Sequence, residues 1–362
     1  MKRLYKLTRQ ILPTLLFLLS TVIIAQEANV ENRAIQNYRV MFYNLENLFD
    51  IYDDPDTHDD EFTPTGSRRW TNKKFYAKLN NIYKVVMAVG GYEPPTVVGM
   101  CEVENEFVLQ RLLNNTPLKQ FGYKFIHYDS PDSRGIDVAM IYRDDKFTPF
   151  HSEAIPVIFP DDPDSKTRDI LYVKGLIGGR EMIHIFINHW PSRYGGYMET
   201  KPKRGRAAEI LKHKTDSLFN INPSAVIVIM GDFNDGPNDE SLFKTLDAKN
   251  PENDIQTTAL YNMMLVDRKG WEHGTLKYRE YWDTFDQIII SGSLLDKTGN
   301  LWVDPNQEVI FHSDFLLQPD ERYLGKKLIR TYLGFRYIGG YSDHLPVFFD
   351  LKIPIVIILM SP

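Results

Sequence analysis

The stretch AVIVIMGDFN, residues 225–234, is an unbroken apolar run that ends in Gly231, Asp232, Phe233 and Asn234. Its length and its Val and Ile content predict a strand buried on both faces. Asp232 and Asn234 therefore stand at the mouth of a sheet. They lie two positions apart, so on an extended chain they point the same way. Working outward, the same design recurs. YRVMFYN (38–44) ends in Asn44, TVVGMCE (96–102) in Glu102, and MIHIFINHW (182–190) reaches Asn188 and His189 near its end. IDVAMIYR (136–143) opens on Asp137 after its first residue, TFDQIIIS (284–291) carries Asp286, and LPVFFDLK (345–352) is preceded by Asp343 and His344.

Helices fall between some of these strands. Phe75, Leu79, Ile82, Val86 and Val89 recur at +4 and +3, one apolar face of a helix over 73–90. Gly90-Gly91 and Pro94-Pro95 stop it. A second such face spans 203–220 and a third 104–114. The acidic, turn-rich residues 50–70 read as a surface loop with a solvated His58. There is no regular βαβ repeat, no glycine-rich phosphate loop and no internal repeat. The fold class expected is α+β (α/β): mixed sheets covered by helices, in a single domain over 38–352.

The 362 residues suffice to bury a large core without staples. Lys2, Arg3, Lys6 and Arg9 precede an apolar run, Ile11–Ile24, in the order of a secretory signal peptide. Cleavage is placed after Ala25, and 26–37 reads as a flexible segment. The run is short for a bilayer span, so no stable membrane span is expected after cleavage. The expectation is a monomer exported to the periplasm or beyond. Four of the 42 basic residues and none of the 48 acidic ones lie in 1–25, so the net charge moves from −6 to −10. A general attraction to nucleic acid is not indicated. A local patch at Lys201, Lys203, Arg204 and Arg206 remains open to one. The single cysteine, Cys101, excludes an internal disulfide and reads as a small apolar residue of a buried strand. The apolar tail 353–362 reads as an extra edge strand.

Repetition carries the chemistry. One carboxylate at a strand end caps a turn more often than it catalyses. Asp286 differs, because a carboxylate beside Phe285 and Ile288–Ile290 needs a buried partner, and an imidazole is one. Glu102, with Asp or Asn near it, is a hard oxygen set suited to Mg²⁺ or Mn²⁺, with Ca²⁺ a third candidate, rather than to Zn²⁺. A metal, a water-polarising Asp, an Asp–His pair and amide donors make up the parts of phosphoester hydrolysis. Ser342, Asp343 and His344 are consecutive and cannot form a Ser-His-Asp triad, since neighbouring side chains diverge. His344 is expected to meet Asp286, and Asp343 to face Glu102. Ser342 is left as a turn residue.

YNLEN, GMCEVEN, RGIDVAMIYR, NHWPS, GDFND, TFDQII and SDHLPV, in this order, resemble the endonuclease/exonuclease/phosphatase superfamily with the DNase-I-like fold. The resemblance spans about 38 to 352 and implies a four-layer sandwich, two packed mixed sheets with helices outside. It implies Asn44, Glu102 and Asp343 on the metal side. It further implies His189 near the scissile phosphate, Asp232 on the attacking water, Asn234 as its partner, Asp286 orienting His344, and His344 on the phosphate. Arg134 and Asp137 fall where relatives contact phosphate or orient a histidine, so Asp137 is a candidate partner of His189. Glu46 is left unassigned. The substrate expected is nucleic acid or another phosphodiester, and the activity that of an endonuclease. The alternatives are a sphingomyelinase or phospholipase C-like enzyme, a sugar or inositol phosphate phosphatase, and a non-catalytic binding module. The aromatics of HWPSRYGGYM and GWEHGTLKYREYW are candidates to stack bases or meet a membrane.

Overall fold

A computed structural model of the chain describes residues 34–252, 254–266, 274–307 and 309–355. The leader, its cleavage point and most of the apolar tail lie outside the described residues. So do 267–273, which hold part of the second aromatic stretch.

Runs of Val, Ile and Phe become strands because alternate side chains can be buried on both faces of a covered sheet. The strands of the first half are β1 (Ile35–Leu48), β2 (Val97–Val103), β3 (Tyr123–His127), β4 (Asp137–Arg143), β5 (Phe147–Ile155), β6 (Ile170–Ile177) and β7 (Glu181–His189). Those of the second half that join the two large sheets are β8 (Ile227–Asp232), β9 (Ala248–Lys249), β10 (Leu260–Asn262), β11 (Asp286–Ser291), β12 (Trp302–Val303) and β13 (Val347–Pro354); three short two-stranded ribbons lie apart from them. One sheet runs β12-β13-β1-β2-β4-β3 and the other β5-β6-β7-β8-β11-β10-β9. Both are mixed: β1–β2 and β7–β8 are parallel, while β2–β4 and β8–β11 are antiparallel.

The two sheets pack face to face, β2 and β4 against β7 and β8. A Cβ at Gly99 of β2 would lie 3.1 Å from Met230 and 3.2 Å from Ile187. Ile187 and Met230 therefore point at the other sheet. So do His189 and Asp232, two residues further along the same strands.

Helix α1 (Asn72–Gly90) buries Phe75, Leu79, Ile82, Val86 and Val89, the face expected of it. It packs on α2 (Glu106–Asn115), where Phe75 stacks on Phe107, and α2 leans on β3. Helix α3 (Tyr197–Ile221) covers the outer face of the other sheet. Its Ala207, Ala208, Leu211 and Phe219 join one core with Tyr172, Phe186, Ile227 and Ile229. Tyr38–Leu351 forms one compact unit, and the described residues of the termini group apart from it.

β3, β5, β6, β9, β10 and β12 fall outside the runs read as strands, and two other elements start earlier than expected. β1 starts at Ile35, inside the segment read as flexible. α3 starts at Tyr197 and runs through Pro202, although a proline inside a helix removes one of its hydrogen bonds. β5 carries no apolar run at all: most of its side chains are half-buried or exposed, as at a sheet edge.

Candidate active site

Strand register builds the centre. Across three neighbouring strands, His189 pairs with Asp232 and Asp232 with Asp286. Residues opposite each other in a ladder point to the same face. An imidazole and two carboxylates thus form one row facing the other sheet, all three buried.

Asp232 is the hub. Its Oδ2 accepts from Asn44 Nδ2 at 3.0 Å and lies 3.8 Å from both His189 Nε2 and His344 Nε2. Its Oδ1 accepts from the Asn234 backbone N at 3.0 Å. Burial pushes its carboxyl up to about 6, against the pull of His344. His344 Nδ1 lies 2.6 Å from Asp286 Oδ2. Burial alone would lower its pKa, but Asp286 and then Asp232 hold it well above the usual imidazole range. His189 goes the other way: burial, then the cations Arg168, Arg134 and His344, hold it well below that range. Its Nδ1 is buried without a hydrogen-bond partner. A charged and a neutral imidazole therefore flank one carboxylate.

Several neighbours are structural. Thr275 Oγ1 accepts from the backbone N of Phe285 and of Asp286, both at 3.1 Å, and so anchors the Asp286 strand. Ser342, read as a plain turn residue, is buried; it donates to Asn44 O at 2.8 Å and accepts from His344 N at 3.1 Å. It ties the last strand's approach to the first strand. Asn234 has φ +51 and donates Nδ2 to Trp190 O at 3.0 Å, so its side chain is turned to the chain after β7. Cys101 is fully buried beside His189 and Asp232, and burial pushes its thiol well above the ordinary range.

The acidic side lies on β1 and β2, where the ladder shifts register at Asn44/Leu48 and Cys101/Val103. Glu46, Asn47 and Glu102 sit there at φ +50, +61 and +59. Non-glycine residues at positive φ store strain of the order of 1–3 kcal/mol and gather at functional sites. Glu102 Oε2 accepts from Asn47 N at 2.8 Å, while Oε1 has no hydrogen bond among the described residues. Arg330 bridges the other two acids, donating to Glu46 Oε1 at 3.0 Å and to Asp343 Oδ2 at 2.6 Å. Lys78, buried below, donates to Thr331 Oγ1 and Tyr341 O, and burial lowers its ammonium to about 8. Glu46, Glu102 and Asp343 all act on the charges of both cations. These are hard oxygens of the kind a divalent cation takes, but Arg330 holds two of the carboxylates; among the described residues the clusters tight enough to share an ion are Asp232, Asp286 and His344, Cys101, His189 and Asp232, and His127, Asp129 and Asp137. Asn44 does not join these oxygens through its amide: Nδ2 holds Asp232 and Oδ1 accepts from Glu46 N.

Asp137 pairs with His127, at 3.1 Å, and not with His189 as the sequence suggested. Asp137 opens β4, whose neighbour β3 ends at His127, and its other oxygen accepts from Ser130 N. Arg134 contacts Asp132 at 3.4 Å and is half exposed. Arg168, which no motif marked, is buried; it donates to Asp132 at 2.9 Å and to Trp190 O at 2.6 Å. No motif marks Arg330 or Lys78 either, and Glu46, left unassigned by the sequence, joins the acidic side. A charged residue inside an apolar helix face was the available signal for Lys78. The basic cluster 201–206 is spent on ion pairs: Lys201 with Glu240, Lys203 with Asp162, Arg206 with Glu209, and a fully buried Arg204 with Asp235.

The chain matches the sequence profile described as "Endonuclease/Exonuclease/phosphatase family" over residues 39–353. No curated protein matches it. Among solved structures it is similar to a protein of that family from Bacteroides thetaiotaomicron, with 14% identity, a TM-score of 0.52, and 89% of this chain and 100% of that one covered. It is also similar to TDP2 of D. rerio complexed with a single-strand DNA product (14%, 0.51, 87% and 99%) and to a mannosyl-6-phosphatase of Bacteroides thetaiotaomicron (16%, 0.50, 87% and 99%). At these identities the likeness is one of fold: two large mixed sheets flanked by a few helices. No helix among the described residues is long and apolar enough to cross a membrane.

Proposed function

The chain belongs to the Endonuclease/Exonuclease/phosphatase family, and from that membership we propose that it is an exported, divalent-metal-dependent hydrolase that cleaves phosphodiester bonds of nucleic acid. One observation carries the reading: Asp232 Oδ2 accepts from Asn44 Nδ2 and lies 3.8 Å from the Nε2 of both His189 and His344, three side chains that converge from three elements.

Asp232, ionised above about pH 6, takes the proton of the attacking water, its carboxylate held by Asn44 Nδ2 and the Asn234 backbone N. His344, kept cationic by Asp286, presents a charged N–H where negative charge builds on the phosphoryl oxygens. Neutral His189 presents its Nε2 from the opposite side. Glu102, with Asp343 and Glu46 beside it, would hold Mg²⁺ or Mn²⁺, and the cation supplies positive charge to the phosphate and lowers the pKa of a water. Arg134 and Arg168, close enough to depress His189, support a polyanionic substrate over a zwitterionic lipid.

The test is a panel of plasmid DNA, a chromogenic phosphodiester, sphingomyelin and a sugar phosphate, each with Mg²⁺ or EDTA. Metal-dependent cleavage of DNA and the chromogenic diester is expected. Cleavage of sphingomyelin or the sugar phosphate alone would reassign the substrate, and no turnover of any would leave a binding role.

A further inference from the structure

A groove of about 520 Å³, the size of a site for a nucleotide-like group, is lined by Pro191 and Ser192 just past His189 and by Arg134 and Arg168, whose charges act on that imidazole. The turn at Asp132–Arg134, the chain before β6, the segment after β7 and the first turns of α3 line it. Its charged lining is Arg134, Lys166, Arg168 and Lys203 against Asp132 alone, in a chain of net charge −6. Arg134 and Arg168 both bind Asp132, and Asp162 binds Lys203. Lys166 has no ion pair among the described residues. Two buried donors in the lining, Thr167 Oγ1 and Arg168 Nε, lack any hydrogen-bond partner. A buried donor without an acceptor is costly, so the wall that carries Thr167 and Arg168 is short of acceptors. Tyr194 stands at the edge, 93% exposed.

We propose that this groove receives a second, uncleaved phosphate of the substrate, on Arg134 and Lys166, with the Tyr194 ring against the adjoining base. The proposal rests on the phosphodiesterase reading and extends it from one phosphate to two.

The experiment uses thymidine carrying a p-nitrophenyl phosphodiester on O5′ or O3′, each with and without a phosphate on the other oxygen. A hexose pair built the same way is the second arm. In the wild type the second phosphate is expected to raise kcat/KM about tenfold or more, through KM. In Lys166→Ala and Arg134→Gln that gain should fall to about twofold, while Lys119→Ala, far from the groove, keeps it. A gain in the thymidine arm alone identifies a nucleotide chain; an equal gain in the hexose arm identifies a phosphorylated small molecule. No gain in either arm, or a full gain in both variants, overturns the groove. Binding of thymidine 3′,5′-bisphosphate to the full chain in EDTA, followed by calorimetry, separates the two readings. Binding that both variants weaken, with no ester cleaved, keeps the groove and sinks the hydrolase. Cleavage of the plain esters with neither gain nor binding does the reverse.

Discussion

His344 Nδ1 meets Asp286 Oδ2 at 2.6 Å, across 58 residues of sequence. The contact joins the start of one sheet's strand to the approach of the other sheet's strand. It orients the imidazole so that Nε2 faces Asp232, and it keeps the ring charged.

Asp286→Asn should therefore lower kcat by about 10²- to 10⁴-fold while the chain still folds. Removing the carboxylate lowers the His344 pKa, so the protonated form is lost earlier as pH rises. The basic limb of the kcat profile should move to lower pH. An unchanged profile would refute the charged role of His344.

Asp232 must be ionised to take a proton, and burial sets its carboxyl near 6. Activity should fall as pH drops through about 6. The Asn44 hydrogen bond favours the ionised form, so Asn44→Ala should raise this pKa and shift the acid limb upward. Asp232→Asn should cost about 10³-fold or more at every pH. A limb that stays in place in Asn44→Ala assigns it to another group.

Glu102→Gln keeps the acceptor for Asn47 N but removes a charge from the metal side. The Mg²⁺ concentration for half-maximal activity should rise about tenfold or more, with an unchanged circular dichroism spectrum. EDTA should abolish wild-type activity and Mg²⁺ or Mn²⁺ should restore it. Equal metal requirements in variant and wild type would place the cation elsewhere.

Arg330 holds Glu46 and Asp343 together, and burial followed by Asp343 raises the Glu46 carboxyl above its usual range. Arg330→Ala leaves those carboxylates facing each other. The Arg330 side chain is 44% exposed, so solvent screens the loss to about 1 kcal/mol. The melting temperature in EDTA should fall by a few degrees, and Mg²⁺ should raise it more than it raises the wild type. A larger response in the wild type would contradict the arrangement.

Gly231 precedes Asp232 where β7 and β8 run close. A Cβ there would lie 2.4 Å from Asn188 O, so a backbone must shift. Gly231→Ala should cost about 1–3 kcal/mol in urea denaturation. It should also reduce kcat well below the melting range, because the row His189–Asp232–Asp286 loses register. Full activity in a folded variant would show that the row tolerates displacement.

Much of the scaffold and part of the centre can be read along the chain. Runs such as AVIVIM and FINHW mark buried strands, and the polar residues at their ends mark a site, because apolar runs and two-residue alternation are local properties. Asp286 called for a buried partner because a carboxylate among Phe285 and Ile288–Ile290 has no water to turn to. Lys78 carried a weaker mark, a charge inside an apolar helix face, and Arg168 and Arg330 carried none. A cation reads as solvated until the fold removes its water, and each of these is drawn in by carboxylates, carbonyls or hydroxyls remote in sequence.

The sequence by itself determined which strands are buried, which side chains stand at their ends, and that consecutive Ser342, Asp343 and His344 could not act as one triad. Tertiary structure alone decided the partners. Register placed His189, Asp232 and Asp286 in one row, Arg330 drew Glu46 to Asp343, and the pairing of β3 with β4 gave Asp137 to His127. Distances between strands depend on register and sheet packing, which no single strand encodes.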